Sequence, residues 1–286
     1  MRADAAFGLR GLWRDLRYAV RQLRRSPGFA ATVVLTLALG IGANLAVFQL
    51  LYSVLLAPLP IQRPSELVAL HGVPSPFDKE WFVSYAAYER LRAASSAPVI
   101  ARSGFGSAVL QMPDTQTSEA RFQMVSDNYF SVLGVTSAAG RLFVASDGRL
   151  GQSEWPVVVR YGFAQEHFGA GAGVVGRHAV LNGVPVVIVG VAAERFLGTM
   201  VGYAPDFWLP IEAQPAGHLG TWFDSLGPGF GIHLDESWVK QPGIFWLWTL
   251  ARVPEAQRAT ARAAWTQALQ PDFAMRANAT PTPQTK

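Results

Sequence analysis

Enzymatic chemistry needs groups that move protons, bind a metal or attack an electrophile, and this chain has few of them at usable spacing. Its five histidines are His71, His167, His178, His218 and His233. None forms an H-x-x-x-H pair or another spacing that brings two imidazoles to one metal, and only the neighbourhood of His233, with Asp235 and Glu236, invites an acid–base reading. The chain has no cysteine, which removes thiolate nucleophiles, cysteine-ligated zinc and disulfides together. No G-x-S-x-G elbow marks a serine hydrolase and no G-x-x-x-x-G-K-S/T loop marks a nucleotide hydrolase. Gly171-Ala-Gly-Val-Val-Gly176 matches G-x-G-x-x-G in letters. A dinucleotide site needs that motif between a strand and a helix; here it follows a helical pattern and precedes a strand pattern, so it reads as a loop. Trp238, Phe245, Trp246 and Trp248 would either line an apolar groove or pack a core, and strand spacing favours the core. The expectation is a protein without a catalytic site, a metal or a cofactor.

With chemistry set aside, composition and charge carry more. Half of the 286 residues are hydrophobic and 15% are charged, which excludes a disordered chain. The 27 Gly and 19 Pro argue against a helical bundle. The overall charge of +4 is unevenly spread: residues 1–63 carry +6 and the remaining 223 carry −2. The bulk of the chain therefore lacks the basic stripe that phosphate contacts require, and nucleic acid is not expected as a partner.

The basic N-terminus precedes an uncharged stretch. Phe29–Leu56 runs for 28 residues with only Thr, Ser, Asn and Gln as polar interruptions. As a helix it would reach about 42 Å, enough to cross a hydrocarbon core of about 30 Å. A signal peptide would have a shorter apolar run ending in a small-x-small site, whereas this one ends in Ala57-Pro58-Leu59-Pro60. It reads as an uncleaved anchor. Upstream arginines would hold the N-terminus in the cytoplasm, with Arg14, Arg17, Arg21, Arg24 and Arg25 among anionic headgroups. Thr32, Thr36, Gly40, Ala43 and Asn44 recur at helical spacing, a small-residue face that would let a second membrane helix approach.

Beyond the anchor the patterns alternate. A helix is expected over Phe82–Ala94, strands over Val99–Met112 and Ala120–Val125, and a short helix over Asn128–Leu133 closed by Gly134. Trp155–Arg160 reads as a strand and Tyr161–Phe168 as a helix closed by Gly169. His178–Leu181 and Val184–Val191 flank Asn182-Gly183, a strong hairpin signal. Phe245–Val253 reads as a strand and Ala256–Leu269 as an amphipathic helix. The expected fold is α+β: one N-terminal transmembrane helix followed by a mixed α/β domain. The expected segments are a basic amphipathic helix over 1–27, the membrane helix over 28–57, a linker over 58–80, the core domain over 81–270 and a polar disordered tail over 271–286.

Two ordered blocks carry a resemblance. One is Asp15-Leu-Arg-Tyr-Ala-Val-Arg-Gln-Leu-Arg-Arg-Ser-Pro-Gly-Phe29 with Leu37-Ala-Leu-Gly-Ile-Gly-Ala-Asn44. The other is Val125-Ser-Asp-Asn-Tyr-Phe-Ser-Val-Leu-Gly-Val135, Gly140-Arg141, Tyr161-Gly-Phe163, Phe168-Gly169, Val175-Gly-Arg177, Leu181-Asn-Gly183 and Val187-Ile-Val-Gly-Val191. Over roughly residues 12–270 the chain resembles the N-terminal half of the MacB/FtsX-like ABC transporter permeases, most closely the duplicated orphan permeases. The resemblance implies a bacterial inner-membrane protein with a cytoplasmic N-terminus and a periplasmic core domain that performs no chemistry itself. It also implies partners: the lipid bilayer, other permease subunits, a separate cytoplasmic ATPase, and a periplasmic protein or lipoprotein. The given chain ends before the three further spans of that family. The two expectations are therefore a component that assembles with other membrane subunits, or a truncated permease remnant acting as a single-span periplasmic interaction module.

Overall fold

The computed structural model describes residues 21, 25–51, 61–70, 82–112, 115–169, 172–200, 202–216 and 244–278. The chain divides into two units, Met1–Ala57 and Pro58–Lys286.

In the first unit, helix α1 spans Pro27–Leu51. Pro27 opens it at the position where an N–H would have no helical partner. Its apolar residues lie on every side and are open to the surroundings, with Phe29 70% and Leu39 77% exposed. A soluble helix hides one stripe and shows the other; α1 has no polar side to show.

The second unit is built on a mixed sheet. Its strands are β1 Leu67–Leu70, β2 Val99–Met112, β3 Thr115–Val125, β4 Ser137–Gly140, β5 Trp155–Val159, β6 His178–Leu181, β7 Val184–Ala192, β8 Phe207–Pro210 and β9 Trp248–Arg252. They lie in the order β1-β9-β2-β3-β8-β5-β7-β4, and β6 pairs with both β2 and β7. The β3–β8 and β5–β7 pairs are parallel, and the others are antiparallel. Helices α2 Tyr85–Ala94, α3 Tyr129–Leu133, α4 Tyr161–Phe168, α5 Arg258–Ala268 and α6 Gln270–Asn278 complete the unit.

Successive strand side chains point to opposite faces, and both faces are covered. Val99 and Ala101 of β2, Met124 of β3, Val157 and Val159 of β5, and Phe207 and Leu209 of β8 join one core with α2, α4 and α5. Their neighbours Ile100, Val125, Val158 and Trp208 join a second core with Tyr129, Phe130 and Leu133 of α3. Double burial explains why Trp155–Val159 is an unbroken apolar run and not an alternating one.

The hairpin expected at Asn182-Gly183 forms, with φ of 48° and 83° at the two positions, as a type I′ turn requires. The turn also docks on β2: Val109 N–H donates to Asn182 Oδ1 at 2.7 Å, and Asn182 N–H to the Val109 carbonyl at 3.1 Å. Elsewhere the structure differs from the sequence reading. Leu67–Leu70, inside the expected 58–80 linker, is an edge strand paired with β9. Helix α2 begins three residues late because Ser84 caps it by accepting from Ala87 N–H, while Val83 bridges to Leu247. The expected tail from Pro271 continues instead as α6. Pro271 is tolerated in the first turn, Asp272 is buried in an ion pair with Arg90, and Phe273 packs on the core.

Gly190 of β7 faces Gly140 across the β4 pairing, where Arg141 N–H donates to the Val189 carbonyl at 2.9 Å. A Cβ at 190 would overlap the Arg141 backbone. Gly190→Ala should therefore push β4 off β7 and cost about 1–3 kcal/mol, typical of overpacking. The readout is a lower Tm with faster amide exchange confined to β4 and β7; an unchanged Tm would show that the two backbones have room.

Candidate functional site

On α1, Thr32, Thr36, Gly40, Ala43 and Asn44 fall within about 120° of arc at 3.6 residues per turn. Thr32 Oγ1 donates to the Gly28 carbonyl at 3.0 Å and Thr36 Oγ1 to the Thr32 carbonyl at 2.8 Å. Both hydroxyls are thus satisfied inside the helix, so the threonines present methyl groups and little polarity. Space beside Gly40 is open. Asn44 has no hydrogen-bond partner among the described residues, which makes it the polar point of this face. Arg21 and Arg25 are helical and exposed, while Arg14, Arg17 and Arg24 lie outside the described residues.

His167 stacks on Phe163 at 3.9 Å with its Nδ1 3.2 Å from the Phe163 carbonyl, and His178 pairs with Glu154 at 2.6 Å. His71, His218, His233, Asp235, Glu236 and Trp238 lie outside the described residues. Among the described residues no group of three or more potential ligands could hold a metal. Ala172–Val174, within the glycine motif, is a short 3-10 turn between α4 and β6 and not the start of a long helix. Trp246 is wholly buried in the core, and Trp248 packs edge-on against Phe82 at 4.2 Å with the Arg102 guanidinium 4.6 Å from its ring.

A buried polar cluster, missed in the sequence, sits where α2 meets the sheet. Helical spacing puts Tyr85, Tyr88 and Arg92 along one side of α2. Arg92 donates to both oxygens of Asp127, at 2.8 and 3.1 Å, and to the Tyr88 hydroxyl at 3.3 Å. The Tyr85 hydroxyl donates to Glu212 Oε1 at 3.0 Å. Glu212 belongs to the helical turn Ile211–Ala216 that follows β8. Burial pushes its carboxyl up to about 7, although its own backbone N–H and the Tyr85 hydroxyl oppose the shift. Burial pushes the Tyr88 phenol up to about 12, against the pull of Arg92, and drives the Tyr85 phenol higher still with the help of Glu212.

The Val125–Tyr129 block supplies one wall of this cluster. Ser126 Oγ accepts from Ala101 N–H at 3.1 Å, Asp127 holds Arg92, and Asn128 Nδ2 donates to the Val99 carbonyl at 2.9 Å. Three consecutive polar side chains thus bind β2 and α2 to the end of β3. Nearby, Asp206 accepts from Arg160 Nη2 at 2.9 Å and from Arg121 N–H at 2.9 Å, tying β3 to the β5–β8 pair. These groups clamp elements together. They form no nucleophile–base pair, and all the described acids except Glu212 have their charge matched or face solvent.

The chain is similar to known export permeases over part of its length. Over 126 residues the chain is 28% identical to the "Probable syringafactin export ATP-binding/permease protein SyfD" of Pseudomonas syringae pv. tomato, covering 44% of this chain and 18% of that protein. Over 103 residues it is 28% identical to the "Probable export ATP-binding/permease protein MacB" of Pseudomonas entomophila, covering 36% of this chain and 15% of that protein. The chain thus matches less than a fifth of the length of these relatives. Among solved structures, the periplasmic region of MacB from Actinobacillus actinomycetemcomitans aligns with a TM-score of 0.48 at 14% identity, over 76% of this chain and 94% of that one. The extracellular domain of the noncanonic ABC-type transporter YknZ from Gram-positive bacteria aligns with a TM-score of 0.46 at 15% identity, over 73% and 95%. The signature of the MacB-like periplasmic core domain matches residues 30–267. An apolar helix followed by this mixed domain, matched across most of its length, belongs to the MacB-like periplasmic core domain family of ABC transporter permeases.

Proposed function

We propose that this chain is a membrane-anchored component of an ABC-type export or mechanotransmission system, whose folded domain binds or moves partners outside the cytoplasm and performs no chemistry itself. The observation that carries the reading is α1: twenty-five residues without a charge, apolar on every side and open to the surroundings, leading into a domain of the permease family. A helix of that length is about 37 Å long and crosses a bilayer with some tilt. The arginines at 14, 17, 21, 24 and 25 keep the N-terminus in the cytoplasm and engage inner-leaflet headgroups. The domain then lies in the periplasm. Thr32, Thr36, Gly40, Ala43 and Asn44 receive a second membrane helix, with Asn44 seeking a hydrogen bond that lipid cannot supply. ATP hydrolysis comes from a cytoplasmic ATPase that works with this chain, a reading supported by relatives named as export ATP-binding/permease proteins.

The natural absence of cysteine makes orientation simple to test. Val144 is 48% exposed on the domain. In intact spheroplasts, a membrane-impermeant maleimide should label Val144→Cys, whereas Ala5→Cys should react only after lysis. The reverse pattern would refute the orientation. Mild detergent extraction should recover the chain with an ATPase or a multi-span subunit, and recovery as a lone monomer would refute the assembly.

A further inference from the structure

Glu212 differs from the other buried acids of the domain. Asp127, Asp147, Asp206 and Asp272 each face a guanidinium across 2.9 Å or less. Glu212, only 6% exposed, has no ion pair among the described residues. One oxygen accepts the Tyr85 hydroxyl, and Oε2 is buried with no hydrogen-bond partner among the described residues. The titratable groups that face it are Tyr85, Tyr88 and Arg92 on α2 and Asp127 after β3, while the exposed Glu89 acts on Tyr85. Only Arg92 among these is cationic, and both its terminal nitrogens are held by Asp127. The backbone of Gly148 closes the remaining side, since a Cβ there would stand 3.1 Å from Oε2 and 3.4 Å from Asp127 Cβ. Two carboxyls therefore share one guanidinium that is committed to the other. A neutral carboxyl in such a place leaves one polar atom unsatisfied; an ionised one leaves a buried charge uncompensated, which costs far more.

We propose that Glu212 is a proton-operated latch: with a proton on its carboxyl the turn Ile211–Ala216 stays closed on α2, and loss of that proton releases the turn. The free-energy gradient has a definite sign. In the closed state the carboxyl keeps its proton up to about pH 7, whereas once open to water it ionises near the ordinary value of 4.5. The closed state is thus most stable on the acid side, and opening grows as pH rises through that window, by up to about tenfold per pH unit, then levels off. The latch is a property of the fold; only its use as a sensor of external pH rests on the periplasmic placement proposed above.

Hydrogen exchange on the full chain in detergent, corrected for intrinsic rates, tests it. Amides of Ile211–Ala216 and the first turn of α2 should exchange on the order of 50-fold more readily at pH 8 than at pH 5. Glu212→Gln, neutral at every pH, should abolish that difference. A readout on the unaltered protein guards against a variant that fails to fold: a protonated-carboxyl infrared band should persist above pH 6 and disappear near pH 7. Tyr85→Phe should move that midpoint upward, because the lost hydrogen bond favours the ionised form. Flat exchange in the native protein, pH dependence retained in Glu212→Gln, or no carboxyl band titrating above pH 6 would each overturn the latch. None of these results depends on membrane orientation, so they leave the maleimide test independent.

Discussion

The double substitution Leu35→Arg/Leu39→Arg should release the chain from membranes. Helix α1 holds twelve Leu, Ile, Val and Phe residues, each contributing about −0.3 to −0.6 kcal/mol to insertion, or about −4 to −7 kcal/mol in total before polar residues subtract. Each arginine near the centre costs about 2.5–3.5 kcal/mol, so two erase the preference and one leaves it weakened. After an alkaline wash the native chain should sediment, the double variant should stay in the supernatant, and Leu39→Arg alone should divide between them. Sedimentation of the double variant unchanged would mean that α1 is not what holds the protein to lipid.

Trp208→Ala should be the most damaging single truncation in the domain. The side chain is wholly buried on β8 and packs on Phe130 at 5.6 Å and Phe196 at 5.5 Å. Its indole N–H has no hydrogen-bond partner among the described residues, so the loss is one of packing and not of a hydrogen bond. Truncating a buried tryptophan costs about 3–5 kcal/mol, which for a domain of this size lowers Tm by roughly 6–20 °C. Trp248→Ala, at a half-buried position, should cost less. Equal losses at the two positions would show that the second core is not a separate load on stability. The spacing of the cores predicts further that exchange should quicken first around α3, which shares the Trp208 cluster, and later around α2, which does not.

Several elements were legible because their causes are local. The Asn182-Gly183 turn needs two residues that tolerate positive φ, and the letters name them. Asn128–Leu133 closed by Gly134 forms nearly as read, with Asn128 as the flanking residue. The limits of α2 moved because Phe82 and Val83 were taken by partners at Trp248 and Leu247, which helical periodicity cannot register. Strand β8 escaped notice for a similar reason. Four residues ending in Pro210 carry no period of their own, and the strand exists because β3 and β5 flank it. The candidate site divides the same way. Thr32 through Asn44 were visible as a face of one helix, while the Tyr85–Glu212 contact joins residues 127 positions apart and left no trace in spacing.

Residue order alone was enough for the apolar helix, the charge asymmetry before it, the hairpin turn and the family, because a helix in lipid satisfies its own backbone and a tight turn is decided by two φ angles. Only the folded chain decided that Leu67–Leu70 is an edge strand, that Asp272 is buried against Arg90, and that Glu212 lies in a cluster whose single guanidinium belongs to Asp127. Burial and charge compensation are sums over neighbours brought together from distant parts of the chain, and those neighbours exist only once the sheet has closed.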